Sequence, residues 1–362
     1  MPGRPIRTLV IDDSVFMRSV LKSAMEKAPS IEVIGSAQNG TEGFRKIKDL
    51  SPDVVTLDIE MPGMTGLEVL EAVMTDRPMP IVMVSTKTQK GAEMTFRALE
   101  LGAVDYVAKP LEDKAIPTGG SISKRASLQQ FQQDVIKAVE SAFRVNRSLI
   151  GRPDKTRILT PRHAAIRTDG VVAIGISAGG PATLHKLLPV LPAEFPPIVL
   201  TQHMPADFTG PFAQRLNGGA KLTVKEAEAG DELVPGRLLI APGDRHLMVG
   251  MRGRKRVAVL DSGPKVSGFR PSVDVLFESV GSVFGAHAIG LVMTGMGCDG
   301  AVGIKMLHEA GAKTLSQDQE SSIVYGMPKA AFETGCIDQV VTLAEIPDVL
   351  VRLLKQAAKQ PA

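Results

Sequence analysis

The sequence predicts an α/β protein built from two doubly wound parallel-sheet domains. Three observations carry that prediction. Short apolar runs rich in β-branched residues alternate with helical patterns, and they do so in two separate ladders. A basic, proline-containing stretch divides the ladders. The length of 362 residues exceeds what one ordinary core holds.

In the first ladder the expected strands are Arg7–Ile11, Ile31–Ala37, Val54–Leu57, Ile81–Ser85 and Asp105–Ala108. Behind the first, Asp13 and Ser14 are cap-type residues, and Val15, Phe16, Val20, Leu21, Ala24 and Met25 recur at helical spacing. A Gly/Ser-rich loop is expected over Pro117–Ser127. Leu128, Phe131, Val135, Val139 and Phe143 then form one helical stripe that packs back on the sheet. Ser148–Thr168 carries Arg152, Lys155, Arg157, Arg162 and Arg167 with Pro153 and Pro161 and no sustained period, so it reads as a tether. The second ladder has strands at Val171–Ile176, Pro197–Gln202, Arg237–Ala241, Ala288–Met293 and Lys313–Ser316. The expected division is a first domain over 1–147, a linker over 148–168 and a second domain over 169–362.

Composition narrows the function classes. With 44% hydrophobic and 22% charged residues the chain is ordinary globular material. It has no Trp, a net charge of only +3 and no long Lys/Arg block, which argues against a nucleic-acid partner. Cys298 and Cys336 are the only cysteines and form no CxxC pair, which fits a reducing cytoplasm. Met1–Thr8 lacks the apolar core of a signal peptide, and no run reaches the roughly 18 apolar residues of a spanning helix. A cytoplasmic protein without membrane insertion is expected.

In open parallel sheets, functional groups collect beyond the carboxyl ends of the strands. Asp12 and Asp13 close the first strand, Asp58 the third and Ser85 the fourth, while Lys109 follows the fifth. Carboxylates gathered this way repel one another unless a cation enters, and oxygen ligands with room for water suit Mg²⁺. On this reading Asp58 is the in-line nucleophile on a phosphoryl donor. Asp13, Asp58 and the Glu60 carbonyl hold Mg²⁺, with Asp12 in the same acidic group. Lys109 and the Ser85 hydroxyl offer donors to the phosphoryl oxygens. Caps and surface charges would explain a lone Asp-Asp pair, but not acids, hydroxyl and lysine at four strand ends. With Met61-Pro62-Gly63 and Tyr106, these residues resemble a two-component receiver domain over about residues 5–147. The resemblance implies a flavodoxin-like fold in which Tyr106 joins Ser85 and Lys109 in the phosphate switch. The long loop after Pro110 departs from the pattern.

The second ladder opens on Gly175-Ile176-Ser177-Ala178-Gly179, formally G-x-S-x-G, a serine on a strand-to-helix turn. A serine hydroxyl needs a base. His203, just after the next strand, is best placed, and His246 after Ala241-Pro242-Gly243 is the second candidate. Asp299, in the glycine-rich segment after Ala288–Met293, is the acid that would fix the imidazole tautomer. The Met296 amide is placed to donate to an oxyanion, worth about 3 kcal/mol in the transition state.

The segments Ile174-Gly175-Ile176-Ser177-Ala178-Gly179-Gly180, Thr201-Gln202-His203-Met204-Pro205, Ala241-Pro242-Gly243-Asp244, Phe269-Arg270-Pro271-Ser272-Val273-Asp274 and Thr294-Gly295-Met296-Gly297-Cys298-Asp299-Gly300 closely resemble the chemotaxis protein-glutamate methylesterases. The resemblance spans nearly all of 169–350 and implies a Rossmann-like catalytic domain without a cofactor. It implies that Ser177 attacks the γ-methyl ester of a receptor glutamate, His203 takes the proton, Asp299 orients His203 and methanol leaves. Some members also deamidate receptor glutamines. The resemblance further implies a receiver that covers the cleft until a chemotaxis histidine kinase phosphorylates it. Two departures stand out: Ala178 replaces a common hydroxyl residue, and Cys298, read as a small packing residue, replaces a common Asn.

Three rival readings fit parts of the sequence. Gly295-Met296-Gly297-Cys298-Asp299-Gly300 satisfies the nucleotide-binding G-x-G-x-x-G, with Asp318 as ribose ligand, but leaves Ser177 and His203 unexplained. A lipase-type hydrolase orders its triad Ser, acid, His, and would have to pair an acid such as Asp244 with His246, His287 or His308. A non-catalytic output domain that only binds a partner is the third.

Overall fold

Continuous apolar runs bury both faces of a strand, which is what a parallel sheet flanked by helices requires. The computed structural model describes residues 4–86, 88–110, 121–151 and 169–357. It has two compact units, Met1–Pro153 and Asp154–Ala362.

The first unit has strands β1 (Ile6–Ile11), β2 (Ile31–Ala37), β3 (Val54–Asp58), β4 (Ile81–Ser85) and β5 (Asp105–Ala108). They pair in parallel in the order β2-β1-β3-β4-β5. The chain therefore reverses its direction of winding between β1 and β3, where Asp12 and Asp58 end their strands. Helix α1 (Val15–Met25) is capped by the Ser14 side chain, as the sequence suggests. Its buried stripe is Met17, Val20, Leu21, Ala24 and Met25, at i, i+3, i+4, i+7 and i+8. Val15 and Phe16, expected on that stripe, are instead 73% and 60% exposed.

The loop expected over Pro117–Ser127 is not found in its described part, 121–127. Residues 111–120 lie outside the described residues, and the backbone is already helical from Ser121 in α5 (Ser121–Phe143). The run 121–127 holds neither glycine nor proline, so nothing in it stops a helix. Phe131, Val135 and Val139 are buried. Of the expected tether, 152–168 lies outside the described residues, while Ile150 is buried in the first unit.

The second unit has a seven-stranded sheet in the order β14-β13-β12-β6-β7-β9-β8. Its strands are β6 (Val171–Ile176), β7 (Ile198–Gln202), β8 (Thr223–Glu226), β9 (Arg237–Ile240), β12 (Ala288–Val292), β13 (Lys313–Gln317) and β14 (Gln339–Val341), all parallel. Winding reverses between β6 and β12. An antiparallel hairpin, β10 (His246–Arg252) and β11 (Lys255–Asp261), forms a separate sheet. Sequence reading missed this hairpin and the edge strands β8 and β14. The hairpin is dense in Arg and Lys, and β14 has only three residues.

Candidate functional site

The reversal point of the first sheet collects its charged groups. Asp12 and Asp58 are buried, Asp13 is exposed, and one carboxylate oxygen from each lies within 4.8 Å of the others. Lys109 Nζ stands 3.0 Å from Asp12 Oδ2 and 2.8 Å from Asp58 Oδ2. Burial above all pushes the Asp58 carboxyl up to about 6; the Lys109 ammonium opposes this, while Asp12 and Asp13 add to it. Burial likewise raises Asp12. One lysine against three carboxylates leaves a negative, oxygen-lined group that fits a divalent cation. The Glu60 carboxylate faces Lys90 at 3.7 Å rather than joining the acidic group. Ser85 is not aimed at an acid: its hydroxyl donates to the Gly91 carbonyl at 3.2 Å. The Tyr106 phenol oxygen is buried, and burial holds its pKa well above the ordinary value.

The raised Asp58 value makes a stability prediction. A folded-state pKa above the unfolded value of about 3.9 means that the folded state holds its proton longer. Asp58's contribution to metal-free stability is then full below about pH 4 and is lost as pH rises through about 6. Asp58→Asn should raise the metal-free melting temperature of the first unit at pH 8, by up to about 3 kcal/mol of stability. Mg²⁺ should narrow that gap by stabilising the wild type. Melting curves with and without Mg²⁺ measure this, and a less stable Asn variant would contradict it.

The second unit builds its site at the β6/β12 reversal. Register pairs Ile176 with Gln202, so Ser177 and His203 leave adjacent strands side by side. The His203 N–H donates to the Ile176 carbonyl at 3.2 Å, and the Ser177 N–H donates to the Thr294 carbonyl at 2.9 Å. Ser177 thus sits between the loops carrying His203 and Asp299. The approach is close: a Cβ on Gly295 would lie 2.8 Å from the Ser177 Cβ, so only glycine fits there. Gln202 Nε2 donates to the Ser177 carbonyl at 2.9 Å, and Thr294 Oγ1 donates to the Ala178 carbonyl at 2.9 Å. The serine turn is therefore braced from both neighbouring strands.

His203 Nε2 lies 2.7 Å from Asp299 Oδ2, and both side chains are buried. Asp299 also accepts from Ser272 Oγ at 2.7 Å, the Val273 N–H at 2.8 Å and the Asp274 N–H at 3.2 Å. These donors form the start of helix α8 (Val273–Phe284), whose N-terminal dipole favours a carboxylate. Asp274 returns the favour to helix α9 (Ala301–Glu309): its Oδ1 accepts from the Gly300 and Gly303 N–H groups at 2.9 and 2.7 Å. Each helix start is capped by an acid belonging to the other. Burial would raise Asp299, but the bond to His203 and the backbone donors outweigh it and hold the carboxyl below its usual range. Asp274 is raised, by burial first.

An ionised Asp299 only accepts, so Nε2 carries the hydrogen and Nδ1 the lone pair. Nδ1 is buried and has no partner among the described residues. Among those residues no acceptor takes the Met296 N–H either. His246 is different: Nε2 meets the Pro264 carbonyl at 2.9 Å, and Nδ1 accepts from the Ser272 N–H at 3.2 Å. Both its nitrogens are engaged and it is 1% exposed, so it supports Ser272 rather than serving as a base.

The glycine-rich segment 295–300 packs against Ser177 and α8, and the Asp318 carboxylate bonds Ser321, so a nucleotide-binding reading finds no support. Cys298 is exposed, contrary to a packing role. Sequence reasoning missed Ser272, the amides of 273 and 274, and Phe269, which stacks on His203. Their segment was visible as a family motif, but without a role.

Among the described residues no helix is long and apolar enough to cross a membrane. Two family models match the chain: Response regulator receiver domain over residues 8–118 and CheB methylesterase over 172–350. A protein-glutamate methylesterase/protein-glutamine glutaminase of Pyrococcus abyssi is 42% identical over 98% of this chain and 95% of its own length. One of Caulobacter vibrioides is 45% identical over 96% of this chain and 98% of its own. The crystal structure of the Thermotoga maritima CheB methylesterase catalytic domain covers 51% of this chain and 98% of that chain, at 40% identity and a TM-score of 0.50.

Proposed function

Because the chain belongs to the CheB methylesterase family, with a response regulator receiver domain ahead of the esterase domain, we propose that it demethylates glutamate methyl esters of chemotaxis receptors under phosphorylation control. The proposed receiver spans 1–147, the linker 148–168 and the catalytic domain 169–362, in the cytoplasm. The observation that carries this reading is the buried pair of His203 Nε2 and Asp299 Oδ2 at 2.7 Å, which leaves the Nδ1 lone pair without a partner among the described residues.

Nδ1 accepts the Ser177 proton as Oγ bonds the ester carbon, and Asp299 stabilises the imidazolium. The Met296 N–H donates to the oxyanion. The imidazolium returns its proton to the departing methoxide, which leaves as methanol. Water then gives a proton to Nδ1 as its oxygen bonds the acyl carbon, and the imidazolium passes that proton to Ser177 Oγ as the acyl bond breaks, leaving a glutamic acid that ionises to the carboxylate. The same steps on a glutamine would release ammonia.

In the receiver, Asp58 takes the phosphoryl group from a chemotaxis histidine kinase, and Lys109, Ser85 and Tyr106 respond to it. Asp12, Asp13, Asp58 and the Glu60 carbonyl would hold Mg²⁺, which when bound offsets phosphoryl charge. For Ser85 this requires its hydroxyl to leave the Gly91 carbonyl.

Methanol release from methylated receptor membranes tests this, with acetyl phosphate as phosphodonor. Wild type should be stimulated and Asp58→Asn should not. His203→Gln should lose several powers of ten in rate. Release at the wild-type rate from His203→Gln would overturn the mechanism.

A further inference from the structure

We infer that Phe269 is a positioning residue for His203, its ring holding the imidazole plane so that Nδ1 stays available to Ser177 while Nε2 stays on Asp299. The inference rests on the serine mechanism above. A single hydrogen bond at Nε2 fixes one point of the imidazole and leaves the ring free to rock about it. Phe269 removes that freedom: the two rings are stacked with centroids 3.8 Å apart and planes 4° from parallel.

The chain is built to present that ring. Val266 and Phe269 exchange backbone hydrogen bonds of 3.0 and 2.9 Å around a two-residue turn. Both turn residues have positive φ, 53° at Ser267 and 84° at Gly268, as a type I′ turn needs. The next residue anchors the turn. Arg270 Nε and Nη2 donate to Asp244 Oδ1 at 3.0 and 2.6 Å, and its Nη1 donates to the Ser262 and Gly263 carbonyls. Ser267 Oγ also donates to Asp274 Oδ2 at 3.1 Å. Asp274 caps α9, directly after Asp299. The two groups that orient the imidazole, one on its edge and one on its face, are thus braced by one acid.

Phe269→Leu keeps an apolar side chain and loses the flat face; Phe269→Tyr keeps the face. The readouts are kcat and KM for methanol release, and the rate at which a fluorophosphonate labels Ser177, which needs no receptor. The leucine variant should lose roughly 10- to 100-fold in kcat and in labelling rate with KM changed less than about twofold, the scale of a slightly misplaced catalytic group. The tyrosine variant should retain both. Gly268→Val strains a left-handed φ where an added Cβ meets no atom. It should act like the leucine variant, and it decides the matter if that variant fails to fold. Wild-type kcat and labelling in Phe269→Leu, or a change confined to KM, overturns the positioning role. Ser177→Ala separates the two failures: if it still releases methanol, the serine mechanism is wrong. If it is inactive while Phe269→Leu matches wild type, only the positioning role falls.

Discussion

Ser177→Ala is expected to abolish methanol release, by roughly 10⁶-fold in kcat, the scale seen when a serine nucleophile is removed from a comparable triad. The protein should still fold. Among the described residues, the hydrogen bonds of Ser177 run through its backbone: the N–H donates to the Thr294 carbonyl, and the carbonyl accepts from Gly180 and Gln202. Alanine keeps all three and removes only the hydroxyl. An unchanged melting temperature with no methanol is the expected pair of measurements. Full activity in this variant would leave the serine mechanism without its nucleophile.

Asp299→Asn should cost about 10⁴ in kcat, as loss of the imidazole's orienting acid does in serine proteases. It should also cost about 1–3 kcal/mol of stability. Both Asp299 oxygens accept hydrogen bonds: Oδ1 from Ser272 and the Asp274 N–H, Oδ2 from the Val273 N–H and His203. An amide has one accepting atom. Its NH₂ group must therefore point at a backbone N–H, whichever way it is turned. Turned towards Oδ2, it would donate to Nε2 and force the hydrogen onto Nδ1, which removes the lone pair that Ser177 needs. Combining the change with Ser177→Ala should lower the rate no further, because the two act in one step. Methanol release at the wild-type rate from Asp299→Asn would make Asp299 a structural cap alone.

The site was legible where its residues sit at the ends of strands. Ser177, His203, Asp12, Asp58 and Lys109 each follow an apolar run that reads as a buried strand, and parallel pairing brings such ends to one edge. The choice of His203 over His246 was weaker in the sequence, since both follow strand-like runs. The two bonds at the His246 ring settle its state, and one of them comes from a backbone N–H that no side-chain motif reveals. Ser85 was placed at the right strand end, but the direction of its hydroxyl depends on the Gly91 carbonyl at the start of the next helix. The hairpin β10–β11 went unread because the run Arg252-Gly253-Arg254-Lys255-Arg256 at its turn looks like a solvated loop.

Local pattern alone determined that there are two parallel α/β ladders, and which polar residues cap their strands. A βα repeat writes itself into hydrophobic period and turn chemistry within a few residues. Only the tertiary structure decided that β12 lies beside β6, and so brings Asp299 to a histidine 96 positions earlier in the chain. Only it decided which imidazole nitrogen is left basic and that a phenylalanine from a distant turn covers the ring. Those outcomes depend on strand order and on bonds between remote backbone groups, whose partners have no fixed separation along the sequence.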